Sequence, residues 1–354
     1  MAHLEINEFR DECTRHLRTF LAHNTRYLQD ISPALETVGV ALSEFILESG
    51  KRLRPIFAYA GYCATGREPD EPSIAAMASL ELLQACALIH DDVMDRSDTR
   101  RGNPSIHRRF ENHHASNGFS GSASLYGDAA AILIGDLALV WADQMFHQAG
   151  CEPERFLAAL AIHDEMRVEL MAGQFLDVHE QGQRDYSTDR SLNIARFKSG
   201  KYTIERPLHF GAALSGANQE LQSALSDFGL PLGEAFQLRD DLLGVFGNPE
   251  VTGKPAGDDL REGKRTVLIA MTDESLSAAQ REKFYQLFGK PDLDQLHIDE
   301  LRHMIMDSGA QKRCEELIEH LTSRSLSALD AEVFDERSRH LLSTLSALAT
   351  KRSA

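Results

Sequence analysis

The stretch SIAAMASLELLQACALIHDDVMD, residues 73–95, is apolar over most of its length and then ends in three carboxylates. Its Ala, Leu, Glu and Met content and its three- and four-residue apolar spacing predict one long α-helix. The turns LLQACALI are apolar all round, which implies a buried helix. Asp91, Asp92 and Asp95 therefore close a buried element with no Lys or Arg beside them until Arg96. Asp91 and Asp95 share a face at i and i+4, Asp92 stands about 100° round, and like charges so spaced repel by tenths of a kcal/mol. The pattern recurs in PLGEAFQLRDDLLGVFG (231–247), where a mostly apolar helix ends in Asp240 and Asp241. Pro231 suits the first turn of that helix, and Gly247 with Pro249 marks its stop.

Other segments read the same way. YGDAAAILIGDLALVWADQMFHQAG (126–150) and ERFLAALAIHDEMRVELMAGQFLDVHEQG (154–182) carry helical spacing, and no run of short β-rich strands or strand–helix alternation is present. The expectation is an all-α fold, one domain over 1–354 forming a helical barrel or bundle around a central cavity. Three stretches read as loops: RSDTRRGNPSIH after the first acidic cluster, NHHASNGFSGSAS (112–124), and GNPEVTGKPAGDDLREGKRT (247–266) after the second. The 112–124 loop reads as long and mobile, with no function assigned to it. An acidic helix end followed by a cation-bearing loop thus occurs twice.

Charge sharpens this pattern. The net charge of −17 argues against nucleic acid or an anionic membrane surface as partner. An anionic ligand would have to be held by a local group of cations against the overall field. Five scattered cysteines without metal-type spacing suit a reducing, cytoplasmic compartment, and the polar N-terminus does not resemble a signal peptide. The apolar run before Asp136 is too short to span a bilayer, so no membrane span is expected.

Two carboxylate clusters of hard oxygen donors, without a His/Cys partner at zinc spacing and with cations nearby, point to Mg²⁺. That ion takes one or two protein carboxylates and completes its shell with water and substrate phosphate. Arg would meet the remaining phosphate oxygens bidentately and Lys as a point charge. SGKRLRP (49–55), with Lys51, Arg52 and Arg54 and no acid among them, is a candidate second phosphate pocket. From the residues alone, a solvated acidic face and surface cations remain the competing reading.

Taken together the motifs GKRLRP, DDVMD with RR four residues on, FKSGKYT, FQLRDDLLG and VTGKPAGDDLREGKRT resemble the trans-isoprenyl diphosphate synthase (polyprenyl synthetase) family, in order and spacing from Gly50 to Thr266. The resemblance implies a homodimeric all-α prenyltransferase that joins isopentenyl diphosphate to an allylic diphosphate with three Mg²⁺ ions. It implies that Lys51, Arg54, Gln84 and Arg101 hold the isopentenyl diphosphate. Asp91 and Asp95 would bind two Mg²⁺ and Asp240 a third, with Asp92 and Asp241 in support. Arg100, Lys198, Lys254 and Lys264 would grip the allylic diphosphate, and Ser199 and Gln237 would face its C1. The second motif departs from many members in having Gly244 where they carry a third Asp.

Geranylgeranyl diphosphate is the expected product, with a longer chain or farnesyl diphosphate as alternatives. Cys86 and Ala87, five and four residues before Asp91, are small where farnesyl-producing members tend to place aromatic rings. Leu83 and Leu80 would come next along that wall, and Trp141 is a candidate to close it. Rival readings are a terpene cyclase, a His-Asp metal phosphohydrolase suggested by His90–Asp91 and His163–Asp164, and a non-catalytic regulatory subunit. Cyclases lack the upstream GKRLRP pocket, the phosphohydrolase needs further His ligands, and regulatory relatives have eroded aspartate motifs.

Overall fold

The computed structural model describes residues 4–48, 50–183, 186–247, 257–290 and 292–351. In chain order its helices are α1 (Ile6–Ile31), α2 (Glu36–Leu47), α3 (Leu53–Cys63), α4 (Glu71–Ala78), α5 (Leu80–Met94), α6 (Ile106–Ser116), α7 (Ala123–His147), α8 (Pro153–Gln181) and α9 (Thr188–Ile194). A π-helical segment (Ala195–Glu205) leads into α10 (Arg206–Ser215) and α11 (Gln219–Phe246). Then follow α12 (Asp258–Glu262), α13 (Val267–Ser275), α14 (Ala278–Leu287), α15 (Gln295–Asp307), α16 (Ala310–Ala328) and α17 (Glu336–Thr350). The strands among the described residues are Thr99–Arg100 and Asn103–Pro104, an antiparallel pair. The all-α expectation holds.

The helix read over 73–95 is present as α4 and α5, separated at Ser79. There the Ser79 N–H bonds Ala76 O at 3.2 Å, an i−3 contact that tightens one turn without redirecting the chain. Its apolar face is buried as expected, with Leu80, Leu82, Leu83, Ala85, Cys86 and Ile89 at most 2% exposed.

Two expectations need correction. Pro231 lies inside α11, because Asn218 caps the Leu221 N–H at 2.9 Å and Leu221, Leu225 and Phe228 continue the buried stripe upstream. A proline there deprives a carbonyl one turn back of its N–H partner, and the Ser325 hydroxyl of α16 donates to Phe228 O at 2.8 Å beside the break. The first half of the 112–124 loop belongs to α6, and the connection to α7 is pinned by rings, with Phe119 5.7 Å from His114 and His114 5.2 Å from Tyr126.

Two helical stretches, Glu71–Met94 and Ala123–His147, are long and apolar enough to cross a membrane by length and composition. The apolar run before Asp136 looked too short because the helix carries on past that acid. The first stretch is a core element, 72% of its most apolar window being buried, whereas the second has only 28% buried.

The core falls into two clusters joined by α11. Its N-terminal half shares one cluster with residues of α1, α3, α5, α7 and α10, and its C-terminal half, with Leu238, Leu242 and Val245, shares the other with Leu268, Ile298 and Leu301. The π-helical segment is wedged between α8 and α11 at backbone contact. A Cβ on Gly173 would lie 2.3 Å from Lys198 N, and one on Gly233 would lie 2.5 Å from Gly200 O. Any side chain at either glycine would push the segment outward, so these two positions set the width of the space between α5, α8 and α11.

Candidate active site

That space is a cavity of about 630 Å³. It is lined by most of the residues singled out from the sequence: Lys51, Arg54, Gln84, Ala87, Asp91, Arg100 and Arg101 from one side, Lys198, Ser199, Gln237, Asp240, Asp241 and Lys264 from the other. Residues separated by more than two hundred positions thus meet at one site. Lys254 lies outside the described residues.

At the acidic rim, Lys198 Nζ sits 3.2 Å from Asp91 Oδ1 and 2.7 Å from Asp177 Oδ2, while Gln174 donates to the same Asp91 oxygen at 3.0 Å. Gln174 and Asp177 are i and i+3 on α8, so one face supplies both. Burial would raise the Asp91 carboxyl, but Lys198, Lys264 and Arg100 hold it well below the usual carboxylate range. Asp95 goes the other way, raised by burial against Lys264, with Asp91 adding to the rise. Lys264 Nζ bridges the two acidic motifs, 3.2 Å from Asp95, 2.8 Å from Glu262 and 3.8 Å from Asp259.

On α11 burial pushes the Asp241 carboxyl up to about 8; its hydrogen bond from Gln237 at 2.7 Å opposes the rise, and Asp259 and Asp240 add to it. Such crowding of buried carboxylates is relieved by a divalent cation. The oxygen-only donor set is that of Mg²⁺; Asp95, buried behind the cavity lining, reaches the site through its Oδ2, which is paired with Lys264 at 3.2 Å. The residues fit the ion.

Asp92, read as a supporting ligand, does not face the cavity. It is fully buried and accepts from Arg100 Nε at 2.8 Å, with a second, shorter contact to Arg100 Nη2. Standing about 100° round from Asp91, it points into the loop and orients Arg100, which lies 3.7 Å from Asp91.

The second cation group is built on strained backbone. Arg52 (φ 53) and Arg101 (φ 55) adopt left-handed conformations, which cost energy in a non-glycine residue and cluster at functional sites. Arg52 borders the cavity but its charge is already paired. Its guanidinium is buried and donates to Glu81 at 2.8 Å, holding the turn that presents Lys51 and Arg54. Arg54 donates to Thr203 at 2.7 Å and lies 4.2 Å above the Tyr202 ring. Burial lowers the Arg101 pKa; Glu81 opposes this, while Arg100, Arg52 and Arg54 lower it further, so an anion would relieve the crowding.

The chain-length readings divide. Ala87 lines the cavity beside Leu88, Leu170, Tyr202 and Phe236. Cys86 and Leu83 do not: both are buried in the core, Leu83 one turn before Ala87 and Cys86 about 100° round from it, where the Cys86 thiol meets His90 Nδ1 at 3.8 Å. Trp141 is likewise a core residue, set edge-on to Phe20 at 6.2 Å. His90 turns toward α7 and meets Ile132 O at 3.0 Å, in room that a Cβ on Gly135 would fill. His163 is fully buried between Phe146 and Phe210. The two histidines of the phosphohydrolase reading therefore do not converge with the aspartates.

Sequence reading missed Gln174, Asp177, Glu81, Thr203, Asp259 and Glu262. Only Gln174 and Asp177 carried a visible signal, as the polar pair in the apolar run MAGQFLDV.

Comparison with known proteins agrees with this geometry. A family model, polyprenyl synthetase, matches residues 36–305. A geranylfarnesyl diphosphate synthase of Aeropyrum pernix is 32% identical over 91% of this chain and 92% of its own. A (2E,6E)-farnesyl diphosphate synthase of Mycobacterium tuberculosis is 34% identical over 63% of this chain and 56% of its own. A crystal structure of geranylgeranyl pyrophosphate synthase from Corynebacterium glutamicum, complexed with isoprenyl diphosphate and magnesium, superposes with a TM-score of 0.95 at 39% identity, covering 99% of this chain and 100% of that one. The chain belongs to the polyprenyl synthetase family and is an enzyme of the trans-prenyltransferase type.

Proposed function

We propose that this polyprenyl synthetase condenses isopentenyl diphosphate head-to-tail with an allylic diphosphate, making an all-trans product, most plainly geranylgeranyl diphosphate. A longer product, as in the Aeropyrum relative, or farnesyl diphosphate, as in the mycobacterial one, is the alternative. The observation that carries this reading is the pairing of two acidic helix ends with two separate cation groups around one cavity.

Lys51, Arg54, Gln84 and Arg101 form the pocket for the isopentenyl diphosphate. Lys198, Lys264 and Arg100 face the allylic diphosphate, and Lys254 is assigned to it as well. Asp91, Asp95 and Asp240 would hold the three Mg²⁺ ions, which neutralise charge developing on the departing diphosphate. The cations beside them are already oriented by Asp177, Asp92 and Glu262, so little reorganisation accompanies bond breaking. Ser199 and Gln237 face the reacting carbon. Leu88, Leu170 and Phe236 keep water from the allylic cation. The Tyr202 hydroxyl is fully buried with its pKa raised, so it is a poor base. The departing diphosphate takes the proton.

The outward faces of α7 and α8 support a homodimer. Leu133 (67% exposed), Val168 (69%) and Phe175 (69%) are too apolar to suit water. We take the whole chain as one all-α domain, and its free cysteines, four of five buried, suit a reducing cytoplasm.

Steady-state kinetics of two variants test the pocket assignment. Lys51→Ala should raise KM mainly for isopentenyl diphosphate, and Lys198→Ala should mainly slow ionisation of the allylic substrate. The same kinetic change toward both substrates in both variants would refute it.

A further inference from the structure

We propose that Glu169, which stands outside the cavity lining, is a positioning residue for both diphosphate pockets, because it clamps the π-helical segment that serves them. The inference rests on the assignment of the two pockets. Ala195–Glu205 carries Lys198 and Ser199 toward the allylic diphosphate. Its far end carries Tyr202 and Thr203, which hold Arg54 at 4.2 Å and 2.7 Å. Eleven residues of π-helix are unusual, since i→i+5 bonding occurs mostly as single turns at functional sites. Rewinding the same residues to the α pitch would turn Lys198 and Thr203 relative to each other, and one pocket would lose its cation. Tertiary contacts must therefore hold the winding. The contacts on the cavity side, Lys198 with Asp91 and Asp177 and Arg54 with Thr203, involve the cations that incoming diphosphates draw on.

The outer contacts have no such competitor. Glu169 Oε1 accepts from Lys201 Nζ in a short ion pair and from Arg206 Nη2 at 2.8 Å, and its Oε2 accepts from Arg206 Nε at 2.7 Å. One carboxylate of α8 thus ties the middle of the segment to the first residue of α10. The Glu169, Lys201 and Arg206 side chains are 13%, 14% and 9% exposed. Burial alone would raise the Glu169 carboxyl, but Arg206 and Lys201 hold it below its ordinary value, so it stays charged. Lys201 Nζ also lies 5.2 Å from the Phe197 ring centroid and 3.7 Å from Glu205, while Arg206 meets Glu165 at 2.6 Å. Glu169, Gly173 and Asp177 follow at i, i+4 and i+8 on α8. Asp177 meets the Lys198 side chain, Gly173 admits the Lys198 backbone, and Glu169 holds Lys201. Successive turns of α8 grip the segment, and Glu169 does so from outside the cavity.

Two variants open the clamp. Glu169→Gln keeps the shape and removes the charge; Lys201→Met frees the segment but leaves Glu169 its Arg206 partner. In both, amide hydrogen exchange over residues 195–205 should quicken by about tenfold or more. Steady-state kinetics at a temperature where each variant is fully folded should show kcat reduced roughly 10- to 100-fold together with a KM for isopentenyl diphosphate raised about tenfold. Neither Lys51→Ala nor Lys198→Ala should give that joint change. Glu169→Gln/Lys201→Met removes the stranded cation as well, and should recover most of the melting temperature lost in Glu169→Gln but none of the kinetic loss. Wild-type exchange or wild-type kinetics in folded Glu169→Gln or Lys201→Met would overturn the proposal. Kinetic recovery in the double variant would overturn it too, since the carboxylate would then only balance charge. A wild type that condenses no isopentenyl diphosphate would instead remove the pocket assignment, and the exchange measurement would still decide the clamp.

Discussion

Replacing Ala87 by Phe should shorten the product, and replacing Cys86 by Phe should not. The two residues are adjacent and both small, yet α5 sets them about 100° apart, Ala87 toward the cavity and Cys86 into the core. Ala87 lies four residues before Asp91, about 6 Å along the axis at 1.5 Å per residue, and faces a cavity of about 630 Å³. A ring there has room in the substrate-free enzyme, so stability should be nearly unchanged. The growing tail must then meet it. Overpacking costs about 1–3 kcal/mol, so elongation past the ring should slow by roughly 5- to 150-fold relative to product release. The chemistry lies a turn away, so total isopentenyl incorporation should stay within a few-fold of wild type. At Cys86, 1% exposed and pressed toward His90 and α7, the same ring has no room. The cost of about 1–3 kcal/mol should fall there on folding. Product chromatography with each allylic primer, alongside thermal melts, reads both effects. An unchanged product profile in active Ala87→Phe, or shortening by Cys86→Phe alone, would refute this placement of the tunnel wall.

Glu81→Gln should destabilise the fold by about 3–5 kcal/mol in denaturant melts, because it strands the buried Arg52 charge; Arg52→Met/Glu81→Leu should recover most of that loss. His163 and His209 are buried with pKa values near 4 against an ordinary 6.5, lowered first by burial and then by Arg167 and Arg206 respectively. The unfolded chain therefore binds more protons between these values, and stability present above pH 6.5 should be lost on acidification toward 4, on the order of 3 kcal/mol per histidine. His163→Phe should flatten the slope by one proton; an unchanged slope would contradict this. Leu133→Glu or Val168→Glu should convert dimers to monomers in sedimentation velocity, and a wild-type monomer would remove the dimer from the account.

The helices and the site were legible to different depths. Apolar spacing located α5, α7 and α8 because burial imposes it. The reach of α11 upstream of Pro231 was not legible, because local pattern reads a proline as a helix start, whereas the Asn218 cap and the buried stripe Leu221, Leu225 and Phe228 carry the helix through it. Asp91, Asp240 and Lys51 stood out through runs of like charge that a core would otherwise reject, and Lys198 only through the family resemblance. Asp92 carried the same signature and proved to be Arg100's partner, since spacing alone does not say which of two adjacent acids faces the cavity. Asp177, Gln174 and Asp259 could not be assigned from local pattern. The roles of Asp177 and Gln174 depend on contacts with residues 21 and 83 positions away, made possible by backbone approach at Gly173 and Gly233.

The most direct test is product formation by the purified chain from labelled isopentenyl diphosphate and farnesyl diphosphate, with Mg²⁺, with a chelator, and in Asp91→Ala. The account predicts a four-isoprene diphosphate from wild type only when Mg²⁺ is present. Asp91→Ala should be slower by orders of magnitude in a chain that still folds, with some loss of stability because Lys198 and Gln174 each lose a buried partner. Full turnover in chelator, or near-normal activity in Asp91→Ala, would contradict it.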